Sequence, residues 1–233
     1  MKSSLNVAIA GCGNIGKKRA LILKESRQDK LAGVFDVDSQ KANACEEEFG
    51  CKAYGSWRQL LDDYSADAVI IATTTDVNIK MSLEALGAKK HVLAEKPLGS
   101  TVKDAKKIVD ASTKNNRLLK VGFNHRHHPA IWKARELCAS GKIGKVLCIR
   151  SLYGHGARPG YDTEWRMQKK FSSGGELLDQ GVHIIDLATW FLGEFSSVFS
   201  QTRSLYWKKS NLEDNAFCQL YTEKNQVVDF HVS

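Results

Sequence analysis

The feature that most constrains the fold lies at the start of the chain. Val7-Ala8-Ile9-Ala10, a short apolar run with β-branched residues, leads straight into Gly11-Cys12-Gly13-Asn14-Ile15-Gly16, and a helical pattern follows to about Lys24. A strand, a G-x-G-x-x-G turn and a helix in that order form the entry to a dinucleotide site. Gly11 permits the tight turn. Gly13 carries no Cβ, so a pyrophosphate can approach the backbone. Gly16 lets the helix pack closely on the strand. The helix N-terminus adds backbone N–H groups and a partial positive charge. The competing reading is a glycine-rich turn that binds nothing.

The next strand weighs against that alternative. Leu31-Ala32-Gly33-Val34-Phe35 ends in Asp36, twenty positions after Gly16. A dinucleotide-binding unit places there the carboxylate that accepts from the adenosine ribose hydroxyls. The same carboxylate repels a 2′-phosphate, which favours NAD over NADP. Asp36 can also be read as a strand-end or helix-capping acid, although Asp38 or Ser39 is better placed to cap the following helix.

The pattern then alternates. Helices are expected near 40–49, 57–61, 78–87 and 101–114. Further strands are expected near 53–54, 68–72, 91–94 and 118–123. The continuous apolar run Ala68 to Ala72 suits a strand covered on both faces of a parallel sheet. Thr73-Thr74-Thr75 follows at its carboxyl end, where ligands sit in open α/β sheets; ordinary turn chemistry is the alternative. The fold class is α/β: residues 1–123 read as a doubly wound parallel sheet that binds NAD.

From Asn124 the pattern changes. A helix at 129–139, a long strand at 146–153, a loop-rich stretch at 154–173, a helix at 176–192 and strands at 198–207, 216–222 and 227–232 make residues 124–233 an α+β domain with a mostly antiparallel open sheet. No Pro/Gly/Ser-rich linker divides the halves.

Composition excludes several classes. The chain has 34 basic and 26 acidic residues for a net charge of +8, but no Lys/Arg block and no nucleic-acid motif. Its basic residues are scattered as on a solvated surface; a field attracting an anionic cofactor or substrate is the minority reading. Six scattered cysteines form no C-x-x-C and no zinc spacing, so no metal is expected and the thiols suit a reducing compartment. No apolar run approaches membrane-spanning length, and Met1 leaves no room for a signal peptide before the first strand. A cytoplasmic protein is expected, without membrane or nucleic-acid partners.

Two places could do chemistry. Lys96 stands between Glu95 and Pro97 at a strand's carboxyl end, where it could polarise a substrate oxygen or help move its proton. Pro97 could fix its direction, including through a cis bond. A surface lysine in a turn is the alternative. Asp179 and His183, four apart on an expected helix, share a face. The carboxylate could hold the imidazole's tautomer while His183 takes a proton from an alcohol. An ordinary helix-surface pair is the alternative.

Taken together, the GCGNIG turn, Glu95-Lys96-Pro97, the Val121-Gly122-Phe123-Asn124-His125-Arg126 junction and the stretch SGGELLDQGVHIIDLATWFLG resemble the glucose-fructose oxidoreductase / inositol dehydrogenase / rhizopine-catabolism (Gfo/Idh/MocA) family over essentially the whole chain. The resemblance implies an NAD(P)-dependent dehydrogenase acting on a CH–OH group of a sugar, nucleotide sugar or cyclic polyol. It places Gly11, Gly13, Asn14, Ile15 and Gly16 at the pyrophosphate and Asp36 at the ribose. Thr73, Thr74, Glu95 and Lys96 fall on the nicotinamide side, and Asn124 and Arg126 near the cofactor. Trp165 and Arg166 match a segment folding over it, and Lys96, Asp179 and His183 match the catalytic trio. Two departures stand out. Asn78 replaces a histidine common in the family, which affects packing or ribose contacts. Family members also continue past Ser233 with further strands whose open face usually forms a dimer interface, so the chain reads as shortened and its homo-oligomer as uncertain. A non-catalytic NAD-binding sensor is the rival reading. Arg158 and Arg166 suit an anionic nucleotide sugar or uronate, whereas a neutral polyol fits the trio equally well.

Overall fold

The computed structural model describes residues 4–207 and 211–233. It divides into two compact units, Met1–Gly122 and Phe123–Ser233.

In the first unit, strands β1 (Asn6–Ala10), β2 (Lys30–Phe35), β3 (Lys52–Ala53), β4 (Ala68–Ile71), β5 (His91–Ala94) and β6 (Leu119–Val121) form one sheet in the order β3-β2-β1-β4-β5-β6. Every pairing is parallel. Helices α1 (Asn14–Glu25), α2 (Ser39–Phe49), α3 (Trp57–Asp62), α4 (Thr75–Gly87) and α5 (Val102–Asn115) connect them. The strand order reverses between β1 and β4, the switch point where such sheets hold ligands at the strands' carboxyl ends.

Both sheet faces are covered, and the period of two explains how. Ala8 and Ala10 join Val69, Ile71, Leu86, Val92 and Ile108 in one apolar cluster. Val7 and Ile9 join Ala20, Val34, Cys45 and Phe49 in the other. The chain therefore reads as continuous apolar runs. Asp38 caps α2 through Gln40 N–H, and Thr101 caps α5 through Asp104 N–H. Helix α4 begins at Thr75, three residues before the sequence pattern suggested.

In the second unit, α6 (Pro129–Ala139) and β7 (Cys148–Tyr153) precede a loop containing the short helix α7 (Lys169–Ser172). The expected helix over 176–192 is composite: residues Leu177–Gly181 form a π-helical turn that continues into α8 (Val182–Leu192). Strands β8 (Ser197–Arg203), β9 (Asn215–Tyr221) and β10 (Val227–Val232) complete a sheet in the order β7-β10-β9-β8. Strand β8 stops short of the expected Trp207. Only the β10–β7 pairing is parallel. One face packs on α8 through Ile184, Ala188, Ala216, Cys218, Leu220, Val228, Phe230 and Val232. No helix among the described residues is long and apolar enough to cross a membrane.

Candidate active site

In the first unit the glycine turn is built closely. Gly11 has φ +98° and its N–H donates to Phe35 O at 2.8 Å. A Cβ on Gly11 would meet Ala72 O at 2.4 Å, and one on Gly16 would meet Gly11 O at 1.8 Å. Both positions therefore demand glycine. Gly13 differs: a Cβ there would meet nothing within 4 Å. Its openness leaves room for a ligand to approach the backbone. Helix α1 starts at Asn14 with no side-chain cap and no acid in its first turn. An anion can complete such a helix end. Ile15 is exposed beside it.

Asp36 is held from two sides. Cys12 N–H donates to Oδ2 at 2.7 Å and Asp38 N–H to Oδ1 at 2.9 Å. The acid thus ties the glycine turn to the end of β2, as a strand-end acid does. A carboxylate has about four acceptor positions, so two bonds leave capacity for ribose hydroxyls. A cleft beside it is walled by Phe35, Asp36, Val37, Asn43, Tyr54 and Trp57. At the end of β4, Thr73 leads into Thr74, the N-cap position of α4, while Thr75 is buried. These features fit a dinucleotide.

The Glu95-Lys96-Pro97 turn follows β5, and the Lys96–Pro97 peptide is cis. Its bracing was not legible in the sequence. Arg19, on α1, forks onto Glu95 Oε1 with Nε at 2.9 Å and Nη2 at 2.7 Å. Asn78, only 2% exposed on α4, donates to Glu95 O at 2.8 Å and accepts from Ser82 Oγ at 3.0 Å. A Cβ on Gly122 would come 2.4 Å from Glu95 Oε2. Asn78 is therefore a support for the backbone immediately before Lys96.

In the second unit, His183 opens α8 and is 5% exposed. Its ring stacks on His125 with centroids 4.1 Å apart and planes 23° apart. Phe123 and Tyr153 stand edge-on to it at 6.0 and 6.4 Å. Asp179 lies in the π-helical turn, with Arg166 Nε 3.4 Å from its Oδ2. Arg166 also approaches Glu164 at 3.6 Å and packs on Trp165, 4.6 Å from the ring centroid. Arg158 pairs with Glu164 at 2.6 Å. Both arginines are thus paired with carboxylates.

Asn124 begins a 3-10 turn and is exposed. Arg126 in the same turn forks onto Asp186 of α8, with both N–O distances 2.7 Å, and its guanidinium lies 5.6 Å from the Trp190 ring. Arg126 thus clamps this turn to α8. Glu176, 5% exposed, accepts from Tyr161 Oη at 3.2 Å and lies 3.7 Å from His155 Nε2. Burial pushes the Tyr161 phenol up, with the Glu176 and Asp179 charges adding to the effect. The Tyr153 phenol is raised by burial first, then by Asp179 and Glu176. The sequence reading did not single out His125, Tyr153 or Glu176. His125 and Glu176 lay inside motifs that stood out, but no spacing rule joins 125 to 183.

The Gly174-Gly175-Glu176 lead-in has a local cause. Glu213 accepts from Gly175 and Leu177 N–H with its carboxylate and from Glu176 N–H with its carbonyl. A Cβ on Gly175 would sit 2.0 Å from Glu213 O. Among the described residues, no group of three or more His, Cys, Asp or Glu is arranged to hold a metal ion.

A doubly wound nucleotide-binding unit followed by a unit with a four-stranded sheet defines a two-unit class of dinucleotide-dependent proteins. Residues 5–123 match the model of the Gfo/Idh/MocA oxidoreductase family, NAD-binding Rossmann fold, and residues 131–233 match that of the Gfo/Idh/MocA C-terminal domain. The chain belongs to the Gfo/Idh/MocA family, and its first unit is an NAD-binding Rossmann fold. Levoglucosan dehydrogenase of Pseudarthrobacter phenanthrenivorans is 31% identical over 206 residues, 84% of this chain and 53% of that protein. Inositol 2-dehydrogenase 2 of Saccharopolyspora erythraea is 27% identical over 98% of this chain and 66% of that protein. A solved levoglucosan dehydrogenase in complex with NADH and levoglucosan superposes with a TM-score of 0.91 at 27% identity, covering 99% of this chain and 67% of the other. The chain spans about half to two thirds of the length of these relatives.

Proposed function

We propose that this chain is an NAD-dependent oxidoreductase acting on a CH–OH group of a sugar, nucleotide sugar or cyclic polyol, with Lys96, Asp179 and His183 handling the proton. The observation that carries the reading is the bracing of the Lys96 turn from α1, α4 and Gly122, because a surface lysine in a loop needs no such support. NAD, when bound, supplies the hydride acceptor. Gly11, Gly13, Asn14, Ile15 and Gly16 would hold its pyrophosphate and Asp36 its ribose. Thr73, Thr74, Glu95, Asn124, Trp165 and Arg166 belong to the same proposed cofactor surroundings. Arg126 enters them through the turn it clamps.

In the oxidative direction the alcohol loses a hydride from carbon and a proton from oxygen, leaving a carbonyl. Lys96 stabilises negative charge growing on that oxygen. His183 accepts the proton, and Asp179 favours the resulting imidazolium. The six cysteines are free thiols, which supports a reducing compartment such as the cytoplasm. Leu152, Phe199 and Phe217 stand exposed on the face of the second sheet away from α8, which supports self-association there.

The test is turnover, followed by nicotinamide absorbance, on levoglucosan, myo-inositol and nucleotide sugars. Lys96→Met and His183→Asn should each lose on the order of 10²–10⁴ in kcat. Near-equal rates would remove the assigned roles. A wild-type chain that binds NAD yet turns over none of the panel would move the reading to a non-catalytic NAD-binding sensor.

A further inference from the structure

We infer that His125 and His183 act as one proton-holding pair, with His125 a positioning residue that sets the pH range in which His183 works. The inference rests on the proposed function for its catalytic meaning, but its physical basis is independent of turnover.

The two imidazoles stack nearly face to face, 4.1 Å between centroids. Tyr153 Oη lies 3.5 Å from His125 Nε2, with its ring edge-on to His125 at 5.3 Å. A protonated ring over a neutral aromatic face is attractive. Two protonated rings at this separation repel strongly. The pair therefore accepts one proton readily and resists a second, and it titrates in two macroscopic steps that belong to both rings.

The surrounding charges set how readily the first proton is taken. Asp179 and Glu176, before α8, are close enough for their charge to reach Tyr153 beside His125 and favour a proton on the pair, and Arg166 beside Asp179 opposes it. Asp186, further along α8, is engaged by Arg126. Tyr153 on β7 keeps its phenol proton because burial raises its pKa. From β10, Phe230 presents an apolar ring toward the turn at Gly181. The second proton would have to sit on the ring facing the imidazolium. His183 can thus take a proton from an alcohol while its neighbour stays neutral and stabilises the product cation.

NMR titration of the imidazole C–H resonances of the whole chain tests this, with His125→Phe and His183→Phe as partners. In the wild type both rings should report two steps, the lower at least about one pH unit below the ordinary histidine value near 6.5. In His125→Phe, His183 should titrate in a single step. In His183→Phe, His125 should return to about the ordinary value. Two independent wild-type steps, both near 6.5, would overturn the inference without any variant. The pH profile of kcat should simplify in the same way in His125→Phe. Coupled titration without turnover would leave the inference standing and refute the proposed function; turnover with independent titration would do the reverse.

Discussion

At the scale of single residues, supports are as informative as the catalytic candidates. Asn78 is buried and uses both ends of its amide, one on the Glu95 carbonyl and one on Ser82. Removing it strands a carbonyl in the core, which costs about 1–3 kcal/mol. Asn78→Ala should therefore lower the unfolding free energy by that amount, read as a lower urea midpoint at unchanged slope, whereas Asn78→Asp should lower it further by placing a carboxylate against the Glu95 carbonyl. Equal midpoints for all three proteins would show that the bond is dispensable. The sequence pointed to Asp36 by its offset from the glycine turn, to Lys96 by its place between Glu95 and Pro97, and to His183 by its spacing from Asp179. Arg19 was not, since nothing in the sequence says that an arginine on α1 will reach a glutamate 76 positions later.

At the scale of elements, local grammar located most strands and helices, and the exceptions have physical causes. Helix α4 begins early because Thr74 takes an extended conformation and occupies the cap position. The π-helical turn at Leu177–Gly181 has no sequence period of its own, and it starts where Glu213 grips three consecutive N–H groups. That grip requires Gly175. Gly175→Ala places a methyl against the Glu213 backbone, so the two segments must separate, at a cost of about 1–3 kcal/mol. Chemical denaturation should show that loss, and hydrogen exchange should localise it to residues 175–181. Unchanged protection there would mean the segments adjust without opening.

At the scale of the whole molecule, the chain combines a sheet buried on both faces with one buried on a single face. NAD binding to the folded first unit should raise the melting temperature, by an amount equivalent to about 2.7 kcal/mol at a hundredfold excess over Kd. Asp36→Ala should lose most of that increment. It should also melt lower without ligand, because Asp36 anchors Cys12 and Asp38 N–H. Differential scanning calorimetry with NAD and NADP measures both effects. A full increment in the variant would show that Asp36 serves the fold alone.

The sequence by itself determined the order of elements, the doubly wound first unit, the glycine turn and the acid that answers it. These are encoded locally, by periods of two and 3.6 and by residues with special backbone freedom. Only the tertiary structure decided that Arg19 and Asn78 hold the Lys96 turn, that Arg126 and Arg158 answer carboxylates, and that His125 lies flat on His183. Such contacts join residues tens of positions apart, and their geometry exists only once packing has fixed which side chains meet.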